Sequence, residues 1–357
     1  MAHPIVEQDV QDIIARLGRR VKKLEGRTLL VAGGAGFLGS YFVAVLHALN
    51  KTRFKKRPCR VIVLDNYITG TKKNVLMDVH DANIRFVTHD VTKPFRHAGP
   101  IDYIIHLAGI ASPVYYRKYP VEAIESAIFG AKHLLELGRT KKLKSFLFFS
   151  SSEIYGDPDS KNIPTPETYK GNVSCTGPRA CYDESKRLGE TLCVTYHQRY
   201  NVPIKIVRPF NVYGPGMKTK DFRVVPTFFL RGLRGEPLPV HNRGRQTRTF
   251  CYATDAITGF FQVLLSDKSG EVYNVGNDQG EISMAALAET VAELFEGVKV
   301  DYIEYPKTYP KDEPQRRMPD LSKIREKLGF RPKVDLRTGL KRTLTCFREA
   351  VKADHEL

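Results

Sequence analysis

The sequence lacks the cysteine spacings of a disulfide or zinc framework. Its 357 residues include six cysteines, and none lies in a Cys-x-x-Cys pair or at a metal-ligand spacing from a histidine. This pattern is typical of reduced thiols in a cytoplasmic protein. We therefore predict a cytoplasmic location and no metal centre.

The sequence also shows no secretory signal, because its first residues are mixed and charged. Residues 29–49 form the one apolar stretch long enough to suggest a membrane span, but glycines interrupt it. The glycines favour a strand, a turn and a helix instead. We therefore predict no membrane partner.

Acidic residues are too few to balance the basic ones, with 39 Asp and Glu against 56 Lys and Arg and a net charge of +17. Such a balance favours anionic ligands such as nucleotides, phosphates, nucleic acid or a membrane surface. The basic residues form no stripe interleaved with aromatic residues, so a solvated surface is favoured over nucleic-acid binding. We predict no nucleic-acid partner.

Apolar residues recur at three- and four-residue steps before the first core strand and predict a helical extension over residues 1–26. They are Val6, Val10, Ile13, Leu17, Val21 and Leu24. We expect this extension to pack on the main body or on another subunit.

A glycine-rich loop joins a predicted strand at residues 28–32 to a helix that runs to about residue 50. The glycines allow a tight turn and let backbone amides approach a pyrophosphate at the start of the helix. The loop residues predicted to bind a dinucleotide are Gly33, Gly36, Phe37, Leu38 and Gly39.

The next predicted strand, residues 60–64, ends at Asp65. A carboxylate there accepts hydrogen bonds from both ribose hydroxyls and repels a 2′-phosphate, which favours NAD over NADP. The basic segment 51–58 predicts a loop insertion that lengthens the spacing to the glycine loop. Lys72 and Lys73 could still tolerate a phosphate.

Strands alternate with helices along the chain and predict an α/β fold with a doubly wound parallel sheet of the Rossmann type. Ligands bind such sheets at the carboxyl ends of the strands. We predict a dinucleotide-binding domain over residues 27–208 and about 249–277. A smaller mixed α/β substrate-binding domain is predicted over about 209–248 and 278–352. Further cofactor-binding candidates at strand ends are Asn66, Asp90, Val91, Leu107 and Ala108.

The stretch from residue 150 to residue 186 carries the most specific chemistry. Tyr182 and Lys186 are four residues apart and share one helical face. A phenol loses its proton near pH ~10, and an adjacent ammonium favours the phenolate. Ser151, Ser152 and Glu153 would supply hydrogen bonds and a carboxylate at the same place. Tyr-x-x-x-Lys alone is more often a surface pair, but the upstream glycine loop favours an enzyme.

Two adjacent arginines, Arg316 and Arg317, lie in the proline-flanked segment 312–320. Guanidinium groups match phosphate oxygens, so this segment suits a diphosphate clamp, with a solvated turn as the alternative.

Together these motifs resemble the extended short-chain dehydrogenase/reductases that act on nucleotide sugars, and within them the UDP-glucuronate decarboxylases that form UDP-xylose. The resemblance covers residues 26–350 and is most specific at 152–158, 177–187, 246–250 and 312–320. Departures include Ala127, where an asparagine is expected, and the loop 108–113.

The resemblance implies a role for each matching residue. Tyr182 would be the base at the sugar 4-hydroxyl, Lys186 would lower its pKa and hold the nicotinamide ribose, and Ser151 would hydrogen bond O4. The other implied positions are Glu153 as the catalytic carboxylate, Arg248 by the sugar carboxylate, Arg317 and Arg223 by the diphosphate, Asn211 on the phosphate side, and Tyr116 and Val240 against the substrate.

The resemblance also implies NAD as the cofactor, a UDP-sugar substrate and a homodimer that pairs helices 121–137 and 180–200. The implied reaction is decarboxylation of UDP-glucuronate through a ketone at C4. Ser152 stands where 4,6-dehydratases have an aspartate, and simple 4-epimerases usually lack the glutamate. Two alternatives stay open: another nucleotide-sugar enzyme, either a 4-epimerase or a 4,6-dehydratase, and a silent dinucleotide-binding protein that binds nucleic acid through its charge.

Overall fold

The computed structural model describes residues 3–70, 79–305 and 314–353. Its α-helices are α1 (Pro4–Leu17), α2 (Phe37–Thr52), α3 (Pro113–Lys118), α4 (Pro120–Arg139), α5 (Ala180–Tyr200), α6 (Val224–Leu233), α7 (Ala253–Leu264), α8 (Met284–Ala292), α9 (Ser322–Leu328) and α10 (Leu336–Ala353). Its strands are β1 (Thr28–Ala32), β2 (Arg60–Asp65), β3 (Ile84–Thr88), β4 (Tyr103–His106), β5 (Ser145–Phe149), β6 (Ile204–Pro209), β7 (Val212–Tyr213), β8 (Leu238–His241), β9 (Thr247–Arg248), β10 (Cys251–Tyr252), β11 (Glu271–Val275), β12 (Ile282–Ser283), β13 (Val300–Ile303) and β14 (Arg316–Arg317).

Within these ranges, seven parallel strands form the central sheet in the order β11-β6-β5-β4-β1-β2-β3. Strand β1 is buried along its whole length and pairs with β2 and β4, as expected for a parallel strand covered on both faces. One apolar core contains side chains of α2 and α7, and a second contains side chains of α4 and α5. The predicted doubly wound parallel sheet is therefore confirmed.

A third apolar core joins α6, β8, α8 and α10. Strand β8 pairs with β13, and the short strands β12, β9 and β14 form a separate small sheet. These elements fall in the sequence ranges predicted for the smaller substrate-binding domain. The domain boundaries themselves stay a prediction.

The N-terminal extension packs on the main body, against α2 and α7. Helix α1 ends at Leu17 and does not continue to residue 26 as predicted. Gly18 follows it at a φ of 56°, and a 3-10 turn, Gly18–Leu24, comes next. The six apolar residues predicted for this face are at most 5% exposed.

Buried polar contacts anchor this helix to the rest of the fold. Asp9 accepts a 2.6 Å hydrogen bond from the hydroxyl of Tyr252, and burial raises the pKa of Asp9 to about 6. Arg16 pairs with Asp255 at 2.6 Å, and the backbone amide of Val334 donates to the same carboxylate at 2.9 Å. Helix α1 is therefore tied both to α7 and to the segment that leads into α10.

None of the described helices combines the length and the apolar character that a bilayer crossing requires. All six cysteines are free thiols, and four of them are buried.

We expect the substitution Arg16→Met to lower the free energy of unfolding by about 3 kcal/mol, because it leaves the buried Asp255 carboxylate without its cationic partner. The side chain of Arg16 is 9% exposed and that of Asp255 is 1% exposed. Arg20→Met is the matched control, because the Arg20 guanidinium forms an exposed hydrogen bond with the carbonyl of Leu328. Chemical denaturation measures both variants, and equal losses would contradict a special role for the buried pair.

Candidate active site

The polar residues that follow the sheet strands meet at one edge, because parallel strands share a carboxyl-end edge. A cavity of about 590 Å³ opens there, and a smaller cavity of about 110 Å³ adjoins it at Gly33 and Gly36. With one exception, every residue that the sequence predicts for cofactor or substrate binding lines one of the two. The exception is Arg316 of the predicted diphosphate clamp, whose guanidinium pairs with Glu281 outside both cavities. The larger cavity is lined by Gly33, Gly36, Phe37, Leu38, Gly39, Leu107, Tyr116, Ser151, Glu153, Tyr182, Lys186, Asn211, Arg223, Val240, Arg248 and Arg317. The smaller cavity adds Asp65, Asn66, Asp90, Val91 and Ala108.

The glycine loop is shaped to receive a diphosphate. Gly33 has a φ of 83°, and a Cβ atom there would lie 2.6 Å from the backbone nitrogen of Ala108. A Cβ atom on Gly39 would lie 2.2 Å from the carbonyl oxygen of Gly33. Helix α2 begins directly at Phe37, and among the described residues no side chain caps its first amides. These amides can therefore bind an anion at the cavity wall, as the diphosphate of NAD requires.

Carboxylates dominate the smaller cavity, where the adenosine half of a dinucleotide would lie. Asp65 accepts hydrogen bonds from the backbone amides of Ala35 and Tyr67 at 2.9 and 2.8 Å. Burial raises the pKa of Asp65, and these amides act against the rise. Glu122 and Glu125 of α4 also line this cavity. The arrangement suits ribose hydroxyls and disfavours a 2′-phosphate, while Lys72 and Lys73 lie outside the described residues.

Tyr182 and Ser151 form the reactive pair that the sequence predicts. Tyr182 is 6% exposed, its ring stacks on that of Tyr116 with the centroids 5.1 Å apart, and both Tyr182 and Ser151 line the larger cavity. Burial raises the pKa of Tyr182 above its ordinary value, while the Ser151 hydrogen bond and the charges of Arg223 and Arg179 oppose the rise.

Lys186 lies beside this pair. Its Nζ donates to the carbonyl of Phe149 at 2.9 Å and lies 5.8 Å from the ring centroid of Tyr182. Burial lowers the pKa of Lys186 to about 8. A hydrogen bond to a backbone carbonyl therefore holds the ammonium of Lys186 beside the Tyr182 ring.

Glu153 lies in a 3-10 turn, Ser152–Tyr155. Ser151 caps this turn, because its hydroxyl oxygen accepts a 3.2 Å hydrogen bond from the backbone amide of Glu153. Two guanidinium groups bind its carboxylate. Arg317 contacts both oxygens, with Nη2 donating to Oε2 at 2.9 Å, and Arg179 contacts Oε2. The carboxylate that the sequence predicts for catalysis is thus the centre of a partly buried ion-pair cluster.

Arg317 and Arg248, which the resemblance implies for substrate binding, line the larger cavity and also have protein partners. Arg317 is expected by the diphosphate but contacts Glu153 instead. Arg248 is expected by the sugar carboxylate, yet its Nη2 donates to the carbonyl of Pro314 at 2.6 Å and its Nη1 to that of Gln315 at 3.2 Å. A buried guanidinium needs such partners, and here they hold the segment that leads to Arg317.

Two further predicted residues also have protein partners. Arg223 is paired with Asp221, with Nη2 and Oδ2 2.7 Å apart. Asn211, which adopts a φ of 39°, donates its side-chain amide to the carbonyl of Thr249 at 2.8 Å. Both residues still line the larger cavity, so the diphosphate would meet a wall whose charges are already compensated.

Sequence reasoning missed Arg179 as a site residue, although it lies three positions before Tyr182. It also missed Lys218, whose Nζ donates to the carbonyl of Gly70 at 3.1 Å across the cavity mouth. A basic residue in the turn before the Tyr-x-x-x-Lys helix was an available signal for Arg179. No local pattern marks Lys218, because its partner lies 148 residues away.

Comparisons with known proteins place this site in a family context. The family model described as the NAD dependent epimerase/dehydratase family matches residues 29–276. The chain is 42% identical over 313 residues to UDP-glucuronic acid decarboxylase 5 of Arabidopsis thaliana, covering 87% of this chain and 86% of that protein.

Two solved structures share the fold over most of both chains. UDP-glucose 4-epimerase from Thermotoga maritima with UDP-glucose gives a TM-score of 0.77 at 27% identity, covering 91% of this chain and 99% of that one. UDP-glucuronic acid 4-epimerase from Bacillus cereus, in complex with UDP-glucuronic acid and NAD, gives 0.75 at 26% identity, covering 90% and 99%.

His106 ends strand β4 and is buried beside the site, with its ring centroid 5.6 Å from that of Phe148. Burial, aided by the Lys186 charge, lowers the pKa of His106 from 6.5 to about 3. As the pH falls, His106 is therefore protonated in the unfolded chain before it is protonated in the folded one. The free energy of unfolding falls with pH between the two pKa values.

We expect His106→Leu to remove this acid sensitivity. Between about pH 7 and about pH 5, the wild-type chain should lose about 2 kcal/mol through this group, and the variant should lose that much less. Chemical denaturation at both pH values tests this, with His97→Gln at a partly exposed histidine as the control. An unchanged pH dependence in His106→Leu would contradict the assignment.

Proposed function

The chain belongs to the NAD dependent epimerase/dehydratase family, and from this premise we propose that it decarboxylates UDP-glucuronate to UDP-xylose. The observation that carries the proposal is a buried Tyr182–Ser151 pair beside a wall that contains Arg179, Arg317 and Arg248. Such a wall suits a sugar that bears a carboxylate. Similarity to UDP-glucuronic acid decarboxylases over most of the chain supports the same substrate.

NAD is the cofactor, and when bound it accepts the hydrogen of C4 as hydride and later returns it. The glycine loop would hold its diphosphate, Asp65 its adenosine ribose, and Lys186 its nicotinamide ribose. The position of Lys186 supports this role, because the residue is buried, lines the larger cavity and lies next to Tyr182.

Tyr182 would act as the base that takes the proton of the sugar 4-hydroxyl, while Ser151 hydrogen bonds the same oxygen. Once C4 carries a ketone, the substrate is a β-keto acid. The bond between C5 and C6 can then break, and carbon dioxide leaves. The electron pair of the broken bond stays with C5 and enters an enolate whose negative charge lies on O4. Tyr182, which then carries the proton, and Ser151 would stabilise that charge by donating hydrogen bonds to O4. A proton then adds to C5.

A 4-epimerase that acts on the same uronate is the second candidate. The arginines of the cavity wall favour it over neutral-sugar activities, and UDP-glucuronic acid 4-epimerase from Bacillus cereus has a similar fold. A product that keeps its carboxylate would identify an epimerase. Ser152 in place of a second acid disfavours a 4,6-dehydratase.

We propose that the protein forms a homodimer through helices α4 and α5, which pack on each other within the chain. Large apolar side chains are exposed on this helix pair: Val121 at 59%, Ile124 at 38%, Phe129 at 46% and Leu188 at 45%. Spacing on α4 places its three residues on one stripe, as an association surface requires. Six free thiols support a location in a reducing compartment, which we propose to be the cytoplasm.

The substitution Phe129→Asp should convert the dimer to a monomer, because it places a charge in the apolar stripe. Light scattering coupled to size-exclusion chromatography measures the mass. Ile303→Asp is the control, because Ile303 is exposed to 38% but lies on β13. A Phe129→Asp variant with dimer mass would refute this interface.

Replacing the base tests the proposed chemistry. We expect Tyr182→Phe to lower the kcat/KM for carbon dioxide release from UDP-glucuronate about a thousandfold, because the 4-hydroxyl then has no proton acceptor. The binding of NAD and UDP-sugar should persist. Tyr115→Phe is the control, because the Tyr115 hydroxyl donates to the backbone carbonyl of Lys220 at the cavity rim. Comparable turnover in Tyr182→Phe would rule out Tyr182 as the base.

A further inference from the structure

Glu153 is shared by two guanidinium groups that come from different parts of the fold. Arg179 directly precedes α5, the helix that carries Tyr182, whereas Arg317 lies on β14 of the small sheet. Arg317 contacts both oxygens of Glu153, and Arg179 contacts one. A second carboxylate braces Arg179, because its Nε lies 3.6 Å from Oδ2 of Asp183.

We propose that Arg179 is a positioning residue that keeps Glu153 compensated while Arg317 exchanges Glu153 for the carboxylate of the sugar. This inference rests on the proposed function. It assigns uronate recognition to an exchange of ion-pair partners within the cluster formed by Asp183, Arg179, Glu153 and Arg317.

Arg317 can receive the sugar carboxylate only if its contact with Glu153 loosens. The side chains of Arg317 and Arg179 are each 6% exposed, and that of Glu153 is 19% exposed. Removing every cationic partner of a carboxylate that is largely shielded from water is unfavourable. Arg179 removes that obstacle, because Glu153 retains one guanidinium when the other leaves. The sugar carboxylate then replaces Glu153 in a bidentate pair of the same kind.

Geometry also explains why Arg179 would stay in place while Arg317 exchanges. Arg179 is fixed at the start of a 21-residue helix and pairs with Asp183 of the same helix. Arg317 belongs to a two-residue strand that pairs with β9. Arg248 of β9 lines the same wall and contributes a further positive charge near the incoming carboxylate.

A purely structural ion pair would behave differently from a positioning residue. Loss of a structural contact would lower the affinity of the cavity for every ligand by a similar factor. Loss of the positioning role would selectively lower the affinity for UDP-glucuronate. The affinity for UDP-xylose would not fall, because UDP-xylose lacks the carboxylate and requires no exchange at Arg317. The ratio of the two affinities therefore separates the two roles.

The test is calorimetric titration of the NAD-bound full chain with UDP-glucuronate and with UDP-xylose. All variants carry Tyr182→Phe, so that the uronate is not consumed. We expect Arg179→Met to reduce the affinity for UDP-glucuronate, relative to UDP-xylose, at least about tenfold, and Arg179→Lys to restore most of the ratio. Arg187→Met is the control, because Arg187 lies on the same helix but donates to the carbonyls of Ile154 and Lys170.

A double-mutant cycle with Glu153→Gln isolates the mechanism. A neutral amide needs no compensating cation, so Arg179→Met should leave the affinity ratio nearly unchanged in that background. An unchanged ratio in Arg179→Met alone, or an equal effect in the Glu153→Gln background, would overturn the inference. Should Arg179→Met fail to fold, Arg179→Gln is read by the same criteria.

Failure of the proposed function and failure of the positioning role give different results. If the protein with native Arg179 binds neither UDP-sugar, or its active form releases no carbon dioxide from UDP-glucuronate, the function itself is wrong. If that protein binds and decarboxylates the uronate, and the affinity ratio does not change when Arg179 is replaced, only the positioning role is wrong.

Discussion

All seven strands of the central sheet run in one direction, and this constraint assembles the site. Their carboxyl ends share one edge, so the glycine loop after β1, Asp65 at the end of β2 and Ser151 after β5 face the same space. Helix α5 brings Tyr182 and Lys186 to that edge, and the small sheet covers it with Arg248 and Arg317. Residues far apart in the chain thus become one cavity wall without any local sequence relation.

Charge within this cavity is organised differently from the net charge of the chain. The total of +17 suggests unpaired cations ready for an anionic substrate. The structure instead pairs Arg223 with Asp221, and Arg317 with Glu153. Desolvated charges need such partners before any ligand arrives. An anionic sugar nucleotide would therefore bind by replacing a protein carboxylate as the partner of an arginine. Recognition of the substrate would then depend on these protein carboxylates as much as on the arginines.

The sequence predicts those parts of the site that local patterns encode. The glycine loop, Asp65 and the Tyr182–Lys186 spacing depend on neighbours within a turn or two, and the structure brings all of them to the two cavities. The break after α1 was missed because periodic apolar residues continue past Gly18. The partners of Glu153 could not be predicted, since Arg179 is 26 residues away and Arg317 is 164 residues away. Ion pairs of that range depend on packing, which no local pattern records.

The most direct test of the account follows the fate of C6. UDP-glucuronate with an isotopic carbon label at C6 is incubated with the protein and NAD and monitored by NMR. The account predicts that the label leaves the sugar and appears as carbon dioxide and bicarbonate, while an unlabelled UDP-pentose accumulates. A label that remains in a sugar carboxylate, whether the uronate is unchanged or epimerised at C4, would contradict it.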